Sequence, residues 1–181
     1  MSETPTDAVL VERARKGDVA AFADLYRRHF DPIYRYLRAR LVDEADAEDL
    51  AEVVFLQAFR SLDRYRERGH PFSAYLYRIA RNALADHYRK AGREVGLDHA
   101  ESLAEPGATP DEHLARQEEI AAMRNALAAL SPDHQEVIRL RVLLDLSTET
   151  TAQWMGRSEG AVRVLLFRAL GALRSKMKDG T

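Results

Sequence analysis

Apolar residues in this chain recur every three or four positions rather than every two, which predicts helices and no sheet. Between residues 47 and 62, Leu50, Ala51, Val54, Phe55, Ala58, Phe59 and Leu62 share one half of a helical wheel, a core face. The other half mixes acids with two apolar side chains: Asp49, Glu52, Val53, Leu56, Gln57 and Arg60. Between residues 72 and 90, Phe72, Leu76, Ile79, Ala83 and His87 share a core side. Tyr77, Arg81 and Tyr88 form one outward stripe, and Arg78, Asn82 and Arg89 the next. The same reasoning places helices at 7–28, 30–41, 45–61 and 71–90, then at 112–130, 132–144, 148–155 and 158–178. Glycine and proline are scarce inside these spans, while Ala, Leu, Arg and Glu are abundant. Ser131-Pro132 reads as an N-cap followed by proline at the first helical position.

The helical pattern stops between Ala91 and Pro110, where three glycines and two prolines interrupt a stretch with few large apolar groups. Such a segment buries little, and it is read as a flexible linker over 93–111. The expected fold is therefore all-α, with small helical domains at 1–92 and 112–181. Charge sharpens this division. Residues 8–90 hold 16 basic and 13 acidic groups, residues 91–117 hold 2 and 6, and residues 118–181 hold 9 and 8. The formal net charge of −2 thus hides two weakly basic blocks joined by an acidic segment. So small a net charge argues against coating DNA by charge alone, but allows a basic stripe on one face.

Composition removes whole classes of chemistry. With no cysteine there is no disulfide framework, thiolate metal site or cysteine nucleophile. His29, His70, His87, His99, His113 and His134 are dispersed, without HExxH or other ligand spacing, so neither a metal nor a cofactor is expected. A hydrolase built on Asp46, Glu48 and Asp49 is a poor reading, because acids near a helix start are usually dipole-favoured surface groups. The chain is expected not to be an enzyme. No apolar run approaches the roughly 18 residues of a membrane span, and no signal-peptide run opens the sequence. Membrane insertion is not expected, and the cytoplasm is the expected compartment.

Three faces ask for partners. The outer face at Asp49, Glu52, Val53 and Leu56 suits either solvent or a docked protein. The loop holding Arg64, Tyr65 and Arg66, followed by Phe72, Tyr77, Arg78, Arg81, Asn82 and Arg89, alternates cations, rings and an amide. That chemistry suits a nucleic-acid strand: arginine reaches phosphates, rings stack on unpaired bases, and asparagine reads a base edge. A solvated loop and helix remain the plainer alternative. Twelve of the fourteen Phe, Tyr and Trp residues lie in the first block, and most, such as Phe22, Tyr26 and Phe55, are assigned to its core.

The third face is a helix-turn-helix from Thr148 to Leu165. Ala152 is the small residue at the crossing, Gly156 the turn residue, Ser158 the cap, and Val162 and Leu165 the buried side of the second helix. Its outward residues are Arg157, Ser158, Glu159, Gly160, Arg163, Val164, Phe167 and Arg168. Arg163 suits guanine and Phe167 a thymine methyl in the major groove. Any helical hairpin with a turn glycine gives a similar pattern.

Together these strings resemble the extracytoplasmic-function (ECF) sigma factors, the short two-domain class of bacterial RNA polymerase sigma factors. The resemblance rests on Ala47-Glu48-Asp49-Leu50 with Val54-Phe55-Leu56, on the run from Pro71 to Asn82, on Leu130-Ser131-Pro132 with Val137-Ile138, and on Met155 to Arg163. It implies a non-catalytic initiation subunit. Asp49, Glu52, Val53 and Leu56 would dock on the β-prime clamp helices of core polymerase, with the β flap as a further contact. The Tyr65–Phe72 loop and the Arg78/Asn82 face would hold the melted downstream promoter element. The Ser158–Arg168 helix would read the upstream element as duplex. An anti-sigma partner is common in the family. Two departures from the family pattern stand out: Glu52-Val53 replaces a usual polar pair, and Tyr75 stands where tryptophan is frequent. The competing reading is a conventional helix-turn-helix regulator that is not a polymerase subunit.

Overall fold

The computed structural model describes residues 4–65, 70–91 and 110–179. These residues are helical, with no strand among them. The chain divides into two compact units, Met1–Val95 with Gln153–Gly156, and Gly96–Ala152 with Arg157–Thr181.

The first unit is built on four helices, the first three started by side-chain caps. α1 (Asp7–Arg15) opens on Thr6, whose hydroxyl accepts from the Val9 amide. α2 (Val19–Arg38) opens on Asp18, which accepts from Ala21 at 3.1 Å. α3 (Glu44–Arg60) opens on Asp43, which accepts from Ala45 at 2.8 Å. α4 (Phe72–Ala91) follows a 3-10 turn at Leu62–Arg64. α2 packs against α1, α3 and α4, and α3 packs on α4. The core between them holds Leu10, Leu25, Ile33, Tyr36, Leu37, Val54, Phe72, Leu76 and Leu84, none more than 1% exposed.

The sequence pattern placed the first helix break near residue 29, between helices at 7–28 and 30–41. The break lies instead at Lys16-Gly17-Asp18. Gly17 takes φ +90°, a left-handed conformation that ends a helix at little cost only for glycine, and Asp18 caps the next helix. Pro32 stays inside α2. The packed face of Leu25, Ile33 and Leu37 runs through it and outweighs the lost amide donor.

In the second unit, α5 (Pro110–Ala128) is followed by α6 (Pro132–Ile138), capped by Ser131. The Gln135 side chain donates to the Ala128 and Leu130 carbonyls at 3.2 and 2.9 Å, closing the end of α5. Sequence periodicity runs one helix through residue 144. The backbone widens instead to a π turn at Arg139–Leu143, and Asp145 then takes φ +49°. α7 (Thr148–Met155), as far as Ala152, and α8 (Glu159–Asp179) complete the unit, with α8 packed on α6 and α5. Val137, Ile138, Leu140, Val162 and Ala169 form its core.

The expected linker over 93–111 falls mostly outside the described residues. Its last two positions, Pro110 and Asp111, already belong to α5. Among the described residues no helix is long and apolar enough to cross a membrane.

Candidate nucleic-acid and polymerase-docking faces

The α4 face is built on a wall of rings. Phe72 lies 5.7 Å from Tyr65, 5.8 Å from Tyr75 and 5.6 Å from the His29 ring, centroid to centroid. The Tyr65 hydroxyl donates to the His70 carbonyl at 3.0 Å, which holds these two residues together. Arg15 of α1 fixes the loop's first residues by donating to the Leu62 carbonyl at 3.1 Å and to the Tyr65 carbonyl. Nothing in the sequence pairs Arg15 with residues nearly fifty positions away, and no spacing pattern would have found it.

Burial separates the residues proposed for strand contact. Arg64, Arg78, Arg81, Asn82 and Arg89 are exposed. Arg78 stands over the Tyr75 ring at 5.8 Å, and Arg89 pairs with Asp86 one turn earlier. Tyr65, Phe72 and Tyr77 are buried, as is Tyr88. The outward stripe read as Tyr77, Arg81 and Tyr88 is therefore corrected. Tyr77 meets the Tyr36 ring edge-on at 5.0 Å, and Tyr88 donates its hydroxyl to the Arg40 carbonyl. Tyr77 thus packs on α2 through its ring, and Tyr88 buries its apolar body because its hydroxyl finds an acceptor. Arg81 instead joins Arg78, Asn82 and Arg89 on the outward side. Arg66 lies outside the described residues.

On α3, Asp49, Glu52, Val53 and Leu56 all reach solvent, with Val53 and Leu56 at 40% and 47% exposure. Phe59, assigned to the core from the wheel, is 46% exposed. Phe22 of α2 packs against it at 4.8 Å, with the two ring planes steeply inclined. Val53, Leu56 and Phe59 therefore make one outward apolar row of i, i+3, i+6 spacing. Burial raises the pKa of the Tyr26 phenol, and the nearby charge of Glu52 adds to the shift.

The helix-turn-helix residues take the expected places. Ala152 and Val162 are buried, Leu165 is half-buried, and Gly156 takes φ +64°. The Arg157 amide donates to the Ala152 carbonyl at 2.9 Å, and the Ser158 hydroxyl accepts from Ala161 at 3.2 Å to start α8. Arg157, Ser158, Glu159, Gly160, Arg163, Val164, Phe167 and Arg168 are all exposed, Phe167 by 79%. No atom lies within 4 Å of a side-chain carbon built at Gly160, so this stretch of α8 offers bare backbone to an approaching surface. Arg163 pairs with Glu159 at 2.8 Å, and Arg157 with Asp133 of α6 at 2.5 Å. Among the described residues no three histidine, aspartate or glutamate side chains are grouped to hold a metal ion.

A helical unit with an arginine–asparagine face, and a second carrying a helix-turn-helix, define a two-part DNA-handling protein. Residues 25–94 match the family Sigma-70 region 2, and residues 120–173 match Sigma-70, region 4. The chain is 37% identical over 178 residues to the ECF RNA polymerase sigma factor SigD of Mycobacterium tuberculosis, covering 94% of this chain and 83% of SigD. It is 37% identical over 172 residues to the ECF RNA polymerase sigma factor BldN of Streptomyces coelicolor, covering 94% of this chain and 65% of BldN. The solved structure of CnrH in complex with the cytosolic domain of CnrY is similar in fold, with a TM-score of 0.64 at 26% identity, covering 97% of this chain and 99% of CnrH. The chain belongs to the ECF RNA polymerase sigma factors. It directs promoter-specific transcription, and the region 2 match across the first unit sets aside the freestanding regulator.

Proposed function

We propose that the chain selects promoters by dividing the work between its two units, with core polymerase supplying all catalysis. The Asp49, Glu52, Val53 and Leu56 face of α3, lengthened by Phe59, docks on the β-prime clamp helices, and the second unit meets the β flap. α8 reads the upstream element as duplex through Arg163, Val164 and Phe167. Arg64, Arg78, Arg81, Asn82 and Arg89 hold the melted downstream strand. Tyr65, Phe72 and Tyr77 act from beneath, as the packed wall on which that face and its loop stand. Unpairing bases costs a few kcal/mol, which contacts to the freed strand offset. Promoter selection of this kind is done in the cytoplasm, beside the chromosome. An anti-sigma partner that covers one of these faces fits the same reading.

The observation that carries the reading is the alignment on α8. Directly after the Ser158 cap, a glycine, an arginine, a valine and a phenylalanine stand outward in consecutive turns. That is the donor, the apolar contact and the close backbone approach that a major-groove helix needs. The test is a promoter-library selection with reconstituted holoenzyme. Arg163→Ala should lose about 1–3 kcal/mol of discrimination at one upstream position. An unchanged base preference refutes the assignment.

A further inference from the structure

We propose that Asp133 and Glu159 set the promoter specificity of the second unit by occupying its arginines and so suppressing binding to DNA of the wrong sequence. The inference rests on the duplex-reading role of α8. Two of the three arginines on that face are held by carboxylates within the unit: Arg157 by Asp133 at 2.5 Å and Arg163 by Glu159 at 2.8 Å. Both pairs are solvent-exposed, with side-chain exposures of 39% and 54% for the first and 66% and 48% for the second. Such pairs contribute little to folding. Their consequence is electrostatic. Arg157, Arg163 and Arg168 face DNA together with Asp133 and Glu159, so the face is almost neutral.

A phosphate attracts any free guanidinium regardless of sequence, and that attraction supplies nearly all non-specific affinity. Here a phosphate must compete with a carboxylate already in place, and the displaced carboxylate then lies close to a like charge. A base edge is treated differently. Arg163 gives Glu159 one donor through Nη2, and a guanidinium has five. The others stay free to fork onto guanine O6 and N7. The i, i+4 pairing also draws Arg163 back toward the N-terminus of α8, the end that enters the groove. The acids thus penalise random DNA and spare the matched base.

The experiment uses the full chain and the double variant Asp133→Asn/Glu159→Gln. Affinity for a fluorescent duplex of random sequence is measured against salt. The same variant in holoenzyme then enters the promoter-library selection. Removal of the acids should tighten random-duplex binding roughly three- to tenfold at low salt and steepen the salt slope. The selected upstream sequences should become less uniform. Glu118→Gln/Glu119→Gln makes the same charge change at exposed positions of α5 and should do neither. Random-duplex affinity and slope equal to wild type overturn the proposal, as does an equal gain from the α5 control. If Arg163→Ala loses upstream selectivity while the acid variant is silent, the proposal falls and the duplex-reading role stands. If Arg163→Ala is silent too, both fall.

Discussion

His29 places its Nε2 2.6 Å from the Asp7 carboxylate, joining the middle of α2 to the first turn of α1. Arg28 donates to the same carboxylate at 3.1 Å, and the His29 ring stands edge-on to Phe72 at the start of α4. Three helices of the first unit therefore meet around one acid. The hydrogen bond from His29, ahead of the charges of His29 and Arg28, holds the Asp7 pKa below its ordinary 3.8. A depressed carboxylate pKa gives stability that is fully present above the unfolded value and is lost as pH falls through the folded one. Asp7→Asn should cost about 1 kcal/mol at neutral pH and remove that share of the acid sensitivity below about pH 4. Urea denaturation at neutral and acid pH checks both. An acid dependence identical to wild type would contradict the role given to Asp7.

Phe72 and Asn82 sit on one helix with opposite roles. Phe72 is 1% exposed among rings, so Phe72→Ala should destabilise the first unit by about 3–5 kcal/mol. Arg78→Ala and Asn82→Ala change solvent-facing positions and should shift stability by no more than about 0.5 kcal/mol. Thermal unfolding beside promoter-opening assays separates the two classes. Promoter-opening loss in Asn82→Ala with a matching loss of stability would place Asn82 in the scaffold instead.

Two glycines flank the cap of α8 for different reasons. Gly156 needs its left-handed φ of +64°, although nothing lies within 4 Å of an added side-chain carbon. Gly156→Ala should therefore cost about 1–2 kcal/mol through backbone strain alone. Gly160 is an ordinary helical residue with open space around it, so Gly160→Ala should stabilise by about 0.5–1 kcal/mol while weakening duplex binding. Denaturation and duplex binding measured on both variants test the contrast. Equal stability changes would contradict it.

Glu136 and Arg139 pair at 2.7 Å with side chains only 10% and 5% exposed. Removing the carboxylate takes a 2.7 Å charged contact away from a buried guanidinium. Glu136→Ala should cost about 3–5 kcal/mol, read by chemical denaturation of the second unit. A loss near zero would show that the pair is solvated in solution.

Leu56 reaches solvent on the outward side of α3, at 47% exposure. Leu56→Asp should abolish co-elution with core polymerase while leaving the helical signal and melting temperature unchanged. Normal co-elution refutes the docking face.

Helix type, the helix-turn-helix and its outward residues are legible in the sequence because they are local. Ser158 lies three residues from the amide it caps, and Gly156 marks its own turn. The misreadings arise where a distant segment decides. Periodicity alone gives no reason to end the first helix at Gly17 rather than near residue 29, since the apolar face of α2 carries that helix on through Pro32. Tyr77 and Tyr88 read as outward rings until Tyr36 and the Arg40 carbonyl are brought to them. Phe59 reads as core because the wheel cannot say that the packing of α2 leaves it 46% exposed. The acids on Arg157 and Arg163 follow the same rule. Glu159 is visible as an i, i+4 neighbour, whereas Asp133 is twenty-four positions away and comes close only through the packing of α6 on α8.

The central claim is that the α8 face acts on duplex and the α4 face on the melted strand. Holoenzymes carrying Arg163→Ala or Asn82→Ala can be compared on a fully paired promoter and on the same promoter with its downstream element already unpaired and presented in single-stranded form. The account predicts that Arg163→Ala weakens binding to both templates alike. It predicts that Asn82→Ala loses the extra affinity that pre-melting confers on wild type. Equal benefit from pre-melting in Asn82→Ala and wild type, or full upstream selectivity in Arg163→Ala, would contradict it.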